Sequence, residues 1–378
     1  MQLNIEKLIY GGDGLARLAP DATGRGKAAF VPFVLAGEQV EAEITEERPG
    51  FARARASEIL KPSPERIEPR CPYFEHCGGC HYQHTNYAHQ LEIKRDILIE
   101  TLRRTAKLEL PCELNVVSAE PWNFRNRTRL KVRTSPDFAV GYFRFASHEL
   151  LPVRECPISS PLLNRVIAAL WALEGELTRY PELREVQLFA NDADDALMLE
   201  LYAARAGKKA KWQALADALA RAIPELVGTT VFEYAPARDG DDDQPVASRS
   251  GAVHTFGAKS MNYEVGEHRY RVSAGSFFQT NRCLSEKLVS LVTADHKGKN
   301  ALDLFAGTGL FSLPLADKFV RVTSVEASPF SGADLRANAE GKTIKAVERD
   351  TASFLDSAGN QAFDLVVVDP PRAGLGER

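Results

Sequence analysis

Over residues 1–60 apolar and polar positions alternate in short runs, "LNIEKLIYGGDGLARL", "KAAFVPFVLAGEQVEAEITEE" and "FARARASEIL", with glycines at the breaks. Period-two alternation punctuated by turn residues predicts short strands, here a small closed β-barrel. In "KPSPERIEPRCP" four prolines in twelve residues exclude a helix and mark a linker. From Tyr87 to Leu110, "YAHQLEIKRDILIETLRRTAKLEL", the apolar spacing becomes helical with charges between, so a surface helix is expected there. Residues 116–270 mix both periods, and the acidic run "RDGDDDQPVA" at 238–247 reads as an exposed loop. From Gly298 onward "NALDLF", "RVTSVEA", "IKAVERD" and "FDLVVVDPP" recur at intervals of about twenty residues, the beat of a doubly wound parallel sheet. No internal repeat is visible.

Length supports this division. At 378 residues the chain holds several cores, and the patterning separates 1–60, 61–270 and 271–378 as three domains. No stretch approaches the roughly 18 apolar residues of a membrane helix. The start, "MQLNIEKLIYGGDG", lacks the basic-then-apolar order of a leader. A soluble cytoplasmic monomer is expected. The net charge of −4 gives no global basic signature, so nucleic-acid binding must rest on local patches.

One such patch is "FRNRTRLKVR", which sets Arg125, Arg127, Arg129, Lys131 and Arg133 at alternate positions. In a strand these cations share one face, with Thr128, Leu130 and Val132 on the other. Like charges so close repel each other, so the arrangement requires a polyanion or a set of acidic neighbours. RNA phosphate contacts are the favoured reading; a charged, aggregation-resistant edge strand is the competing one.

Reduced thiols are the rule in the cytosol, so clustered cysteines point to metal or catalysis rather than disulfides. "CPYFEHCGGC" places Cys71, Cys77 and Cys80 in a C-x5-C-x2-C pattern, and Cys156 follows 76 residues on. Four thiolates suit zinc or an iron–sulfur cluster, with His76, His81 and His84 as further donors for zinc. Three ligands in one loop and one far away favour the cluster. Cys112 and Cys283 lack such a context.

"ALDLFAGTGLFSLPLA" runs from a strand into a turn with Gly307 and Gly309 and then a helix, a geometry that brings backbone amides close to a ligand or only packs helix on sheet. Glu326 ends the next strand 23 residues after Asp303, near the spacing at which a carboxylate accepts from ribose hydroxyls. The turn lacks both the Gly-Lys-Ser/Thr of a P-loop and the third glycine of a dinucleotide site, so adenosine without a polyphosphate fits best.

These motifs resemble a known family. The glycine turn with Glu326 is similar to class I S-adenosylmethionine methyltransferases. "FDLVVVDPPRAGL" ends in Asp369-Pro370-Pro371-Arg372, similar to RNA (uracil-5-)-methyltransferases, with a cation where amino-group methyltransferases carry an aromatic residue. "KLIYGGDGLARL" and "FVPFVLAGEQV" resemble a TRAM domain, an OB-like RNA-binding barrel. "PSPERIEPRCPYFEHCGGCHYQH" and "GYFRFASHELLPVRECPISSP" resemble the family's iron–sulfur segment, and "SAGSFFQTN" the stretch before its cofactor fold.

The resemblance implies a multidomain protein. It would have an OB-like TRAM barrel, a central α+β iron–sulfur and RNA-binding region, and a C-terminal, truncated α/β Rossmann-like methyltransferase fold. It implies S-adenosylmethionine bound by Gln279, Phe305, Glu326, Asp350 and Asp369, and a [4Fe-4S] cluster on Cys71, Cys77, Cys80 and Cys156, zinc being the alternative. RNA would meet Arg125, Arg127, Arg129 and Lys131, and the branch with both TRAM and cluster acts on 23S rRNA. Leu310 stands where relatives often have Asn. In the family a Cys thiolate adds to uracil C6, C5 takes the methyl, and a carboxylate removes the C5 proton so that the thiolate leaves C6. Both groups lie beyond Asp-Pro-Pro-Arg, and residues 372–378 offer no counterpart. The expectation is therefore a fragment that lacks its nucleophile, with a natural non-catalytic iron–sulfur RNA-binding protein as the alternative.

Overall fold

The computed structural model describes residues 1–19, 26–234, 251–359, 361–371 and 374. The acidic run at 238–247 and Arg372 lie outside the described residues. The chain divides into two compact units, one of 1–121 with 142–151 and one of 122–141 with 152–378. The region expected as a central domain over 61–270 is shared between them.

In the first unit, strands β1 (Gln2–Asn4), β2 (Lys7–Leu8), β3 (Gly14–Arg17), β4 (Ala28–Val31), β5 (Gln39–Arg48) and β6 (Phe51–Lys61) form one sheet. Its order is β1-β5-β6-β4-β3-β2. The inward positions of five of these strands, among them Leu3, Ala16, Val31, Val40 and Ala54, meet in a single core, which is the outcome period-two alternation demands. The proline-rich linker is tied down by buried Glu38, whose carboxylate accepts from the amides of Leu35 and Ser63 and from the Arg66 guanidinium. Helix α1 (Tyr87–Thr101), capped by the Asn86 side chain, continues only as a π-turn over Leu102–Ala106. The helix expected as far as Leu110 thus ends where Lys107 turns left-handed at φ 54°.

A mixed sheet, most of it in the second unit, consists of β7 (Arg127–Arg133), β8 (Ala139–Phe143), β9 (Leu150–Pro152), β10 (Leu183–Ala190), β11 (Leu197–Ala203), β12 (Leu226–Glu233) and β13 (Ala252–Gly257), with the end of β8 and most of β9 in residues 142–151 of the first unit. Its order is β13-β12-β11-β10-β7-β8-β9. Helices α2 (Pro161–Ala172), α3 (Glu174–Leu177) and α4 (Lys209–Ala222) contribute Leu163, Ile167, Leu177, Trp212 and Leu219 to the interior. A hairpin, β14 (Ser260–Val265) and β15 (His268–Ser273), follows.

Next come α5 (Ser285–Thr293), β16 (Gly298–Leu304), α6 (Ser312–Ala316), β17 (Phe319–Glu326), α7 (Pro329–Asn338), β18 (Ile344–Glu348), α8 (Thr351–Ala358) and β19 (Leu365–Val368). These four strands pair in parallel in the order β18-β17-β16-β19, as the alternating pattern required. The boundary expected at 270/271 falls inside β15. One core runs from Phe189, Met198 and Phe232 of the mixed sheet through Tyr263, Tyr270 and Phe278 to Val322 and Val367. Shared apolar burial joins the two sheets into one unit. Among the described residues no helix is long and apolar enough to cross a membrane.

Candidate functional site

In the parallel sheet the chain steps from β16 outward through β17 to β18, then returns to add β19 on the other side of β16. Crevices that bind ligands open at such a switch point, outside the carboxyl ends of the strands. Four of the five residues expected to bind the cofactor stand at those ends: Phe305 after β16, Glu326 at the end of β17, Asp350 after β18 and Asp369 after β19. The fifth, Gln279, arrives from the segment after β15, and its amide donates to Asp369 Oδ2 at 3.2 Å. A small hollow between β16 and β19 is lined by Phe277, Gln279, Phe305, Gly307 and Asp369, among others.

Left-handed residues stand in this turn. Phe305 has φ 59° and Gly307 φ 57°, the left-handed region that costs a residue with a Cβ. Glu326 holds the turn, accepting from Gly307 N at 2.8 Å and Ser328 N at 2.7 Å. Two amides leave a carboxylate with acceptor capacity to spare. A Cβ at Gly307 would meet nothing within 4 Å, whereas one at Gly309 would stand 3.0 Å from Leu335 Cδ1 and 3.1 Å from Leu313 Cδ1. Gly309 therefore serves helix packing, whereas Gly307 faces open space.

Beneath the turn, Asp303 is wholly buried and accepts from Ser312 Oγ at 2.5 Å, which also meets Ser324 Oγ at 2.8 Å. Burial, opposed by the Ser312 bond and helped by the Asp369 and Glu326 carboxylates, pushes the Asp303 carboxyl up to about 7. Partial burial also raises Asp369. Asp350 is exposed and caps α8 by accepting from Ser353 N at 2.9 Å, a bond that lowers its pKa.

The basic strand has acidic neighbours inside the fold. Registry sets Lys131 opposite Glu185 and Arg129 opposite Gln187. Lys131 bonds Glu185, Arg129 lies 3.5 Å from the same carboxylate, and the Arg129 guanidinium stacks 4.3 Å from the Tyr202 ring. Arg127 is buried, over the Phe189 ring at 4.2 Å and 4.0 Å from Glu200, and donates to Ser276 O at 2.7 Å. Its burial removes Arg127 from the expected RNA-contact set. Arg125, outside β7, joins the segment to Ser159 and Asn281 by backbone bridges.

In the first unit the cysteine loop is a series of tight turns, with Cys71 O accepting from Phe74 N and Tyr73 O from Cys77 N. Gly78 N donates to Phe143 O, and Phe74 packs between Phe33 and His84. Among the described residues no group of three or more His, Cys, Asp or Glu side chains is gathered as a metal-ligand set. Cys156 belongs to the second unit.

Three buried residues that the sequence did not single out also bear on the site: Glu200, Asp334 and Asn126. Asn126 Nδ2 donates to Gln279 O at 3.0 Å and to Tyr263 Oη at 2.8 Å. Glu200 Oε1 accepts from Gly275 N at 3.0 Å, and Asp334 accepts from Ser273 and Ser276. A carboxylate inside the apolar strand "LMLELYA" was the available signal for Glu200, since buried charges are kept only when paired.

Residues 253–378 match the tRNA (uracil-5-)-methyltransferase family model and residues 1–57 the TRAM domain model. The chain is 32% identical over 386 residues to an uncharacterized RNA methyltransferase of Aquifex aeolicus, covering 99% of this chain and 84% of that one. It is 30% identical to the 23S rRNA (uracil(1939)-C(5))-methyltransferase RlmD of Pectobacterium carotovorum, covering 96% and 77%. The Pyrococcus abyssi tRNA (uracil-54, C5)-methyltransferase, solved with S-adenosyl-L-homocysteine, shares the fold: TM-score 0.74, 24% identity, 100% of this chain and 86% of that one.

Proposed function

The chain belongs to the RNA (uracil-5-)-methyltransferase family, and we propose that it acts in S-adenosylmethionine-dependent methylation of uracil C5 in RNA, with 23S rRNA as substrate, as a cytoplasmic monomer. The observation that carries this reading is the convergence of Gln279, Phe305, Glu326 and Asp369 at the carboxyl ends of the parallel strands.

The residues fit the donor. Gly307 leaves open the space a side chain would fill, and Glu326 keeps lone pairs for ribose hydroxyls while fixing the turn. Asp350 stands on the next strand end, suited to the adenine side, and Gln279, Phe305 and Asp369 border the methionine end. When bound, the donor supplies an electrophilic methyl on a sulfonium. Gln279 and Asp369, already hydrogen-bonded to each other, orient what lies between the donor and the base. The thiolate on C6 and the base for the C5 proton are assigned to no residue of 1–378. Arg129 and Lys131, about a quarter exposed at their side chains, with Arg125, are the cations read as meeting RNA, in addition to the TRAM domain.

Labelled S-adenosylmethionine with 23S rRNA, followed by nucleoside analysis, tests the reaction. 5-Methyluridine is the expected product, and label confined to base amino groups refutes the target atom.

For the cysteine loop we read a [4Fe-4S] cluster on Cys71, Cys77 and Cys80, with Cys156 as the fourth thiolate implied by sequence. Donor chemistry supports it: three thiols on one loop suit a soft metal. Gly79 also leaves room beside Cys77, since a Cβ there would lie 3.5 Å from Sγ. Protein isolated without oxygen is expected to carry iron and acid-labile sulfide, both lost in Cys77→Ala. Zinc without sulfide would select the alternative.

A further inference from the structure

We infer that Asp334 and Asn338, one helical turn apart on α7, are positioning residues that fix the Gln279 segment against the glycine turn. The inference rests on the reading of that crevice as the methyl-donor site.

Residues four apart on a helix share a face, and this face of α7 holds two different parts of the crevice. Asp334 is wholly buried and accepts three hydrogen bonds of 2.6 Å, from Ser273 N, Ser273 Oγ and Ser276 Oγ. Asn338 accepts from Arg271 N at 2.8 Å and donates to Arg271 O at 3.0 Å and to Thr308 O at 2.9 Å. The first residue thus ties down the turn that leads to Gln279. The second joins β15 to the glycine turn itself, where Tyr270 Oη adds a bond to Leu310 O at 2.9 Å.

The turn between these anchors is held from the other side as well. Gly275, at φ 86°, lies under the Phe330 ring of α7, and its amide donates to Glu200. Ser276 O accepts from Arg127, and Gln279 O from Asn126. The Gln279 side chain is therefore aimed by its backbone, and that backbone is fixed by buried side chains from α7 and from the mixed sheet. Because α7 begins three residues after Glu326 and its cap amide, Ser328 N, is bonded to Glu326, one short helix places the groups for both ends of the donor. A buried carboxylate accepting three bonds resists displacement, since a donor left without its partner costs its full desolvation.

The test is calorimetric titration of the chain with S-adenosylhomocysteine. Asp334→Ala is expected to weaken binding about tenfold, the scale of a lost charge-assisted bond. Asp334→Asn should restore most of it, because its oxygen still accepts the Ser273 amide and both hydroxyls can rotate. Ser276→Ala, which removes one bond and no charge, should weaken binding a few-fold while lowering the melting temperature less than Asp334→Ala does. In a double-mutant cycle Asp334→Ala should cost much less in a Gln279→Ala background, because coupled residues are non-additive. Overturning results are wild-type affinity in Asp334→Ala and Ser276→Ala, or losses that simply multiply in the double mutant. A wild-type chain that does not bind the ligand at all would overturn the donor-site reading and this inference with it. Failure confined to the variants' effects overturns the inference alone.

Discussion

Replacing Gly307 by alanine separates what the glycine turn does for folding from what it does for binding. At φ 57° with nothing within 4 Å of an added Cβ, the cost to the fold is conformational alone. A left-handed alanine costs about 1–2 kcal/mol, and the stiffer unfolded chain returns about 0.4–1 kcal/mol of that. The net is about 1 kcal/mol, which in a unit of this size lowers the melting temperature by roughly 2–4 °C. The same methyl enters the space read as the donor's. Overpacking there costs about 1–3 kcal/mol, so affinity for S-adenosylhomocysteine falls about tenfold or more. Gly309→Ala is the internal control. Its Cβ would press on Leu335 and Leu313 at 3.0 and 3.1 Å, so it should melt lower than Gly307→Ala while losing less affinity per degree. Scanning calorimetry and titration on both variants check the pattern. If Gly307→Ala binds like wild type, or melts as low as Gly309→Ala, the assignment of open ligand space to Gly307 is refuted.

Glu200→Ala should destabilise the second unit by about 3–5 kcal/mol in urea unfolding, because it strands the buried Arg127 charge and removes the acceptor of Gly275 N. Glu185→Ala should cost clearly less, since Lys131 and Arg129 remain about a quarter exposed and can be solvated; equal costs would refute the burial argument. Burial pushes the Asp303 carboxyl up to about 7 in the fold, against about 3.9 for an unfolded aspartate. The folded state thus keeps a proton that the unfolded state has lost, and the Asp303 contribution falls as pH rises from about 4 to 7, by at most about 1.4 kcal/mol per pH unit. Asp303→Asn should flatten that slope in denaturant titrations across the window, and a wild-type slope in the variant would show that another group is responsible.

The parts of the fold that follow a simple period were legible in sequence. The four parallel strands and the glycine turn could be placed because buried strands, Gly307, Gly309 and Glu326 each carry a local signature. The unit boundary could not, since it depends on side chains far apart in sequence, such as Phe189 and Phe278, sharing one core. The basic strand shows the same limit more sharply. Alternation correctly assigned Arg127, Arg129 and Lys131 to one face, and repulsion correctly required negative partners. Whether those partners are phosphates or carboxylates depends on register, which sets Glu185 opposite Lys131 and brings Glu200 beside the next row. Period-two patterning is blind to register across strands separated by fifty residues or more. The missed clue was complementary: "REVQLFA" and "LMLELYA" carry Glu185 and Glu200 at inward positions, where a carboxylate persists only if a cation is brought to it. Charged residues on neighbouring apolar strands should therefore be paired with each other first, and only those left over offered to a ligand. Applied here, that order assigns Arg127 to Glu200 and to Ser276 O, on the backbone that leads to Gln279.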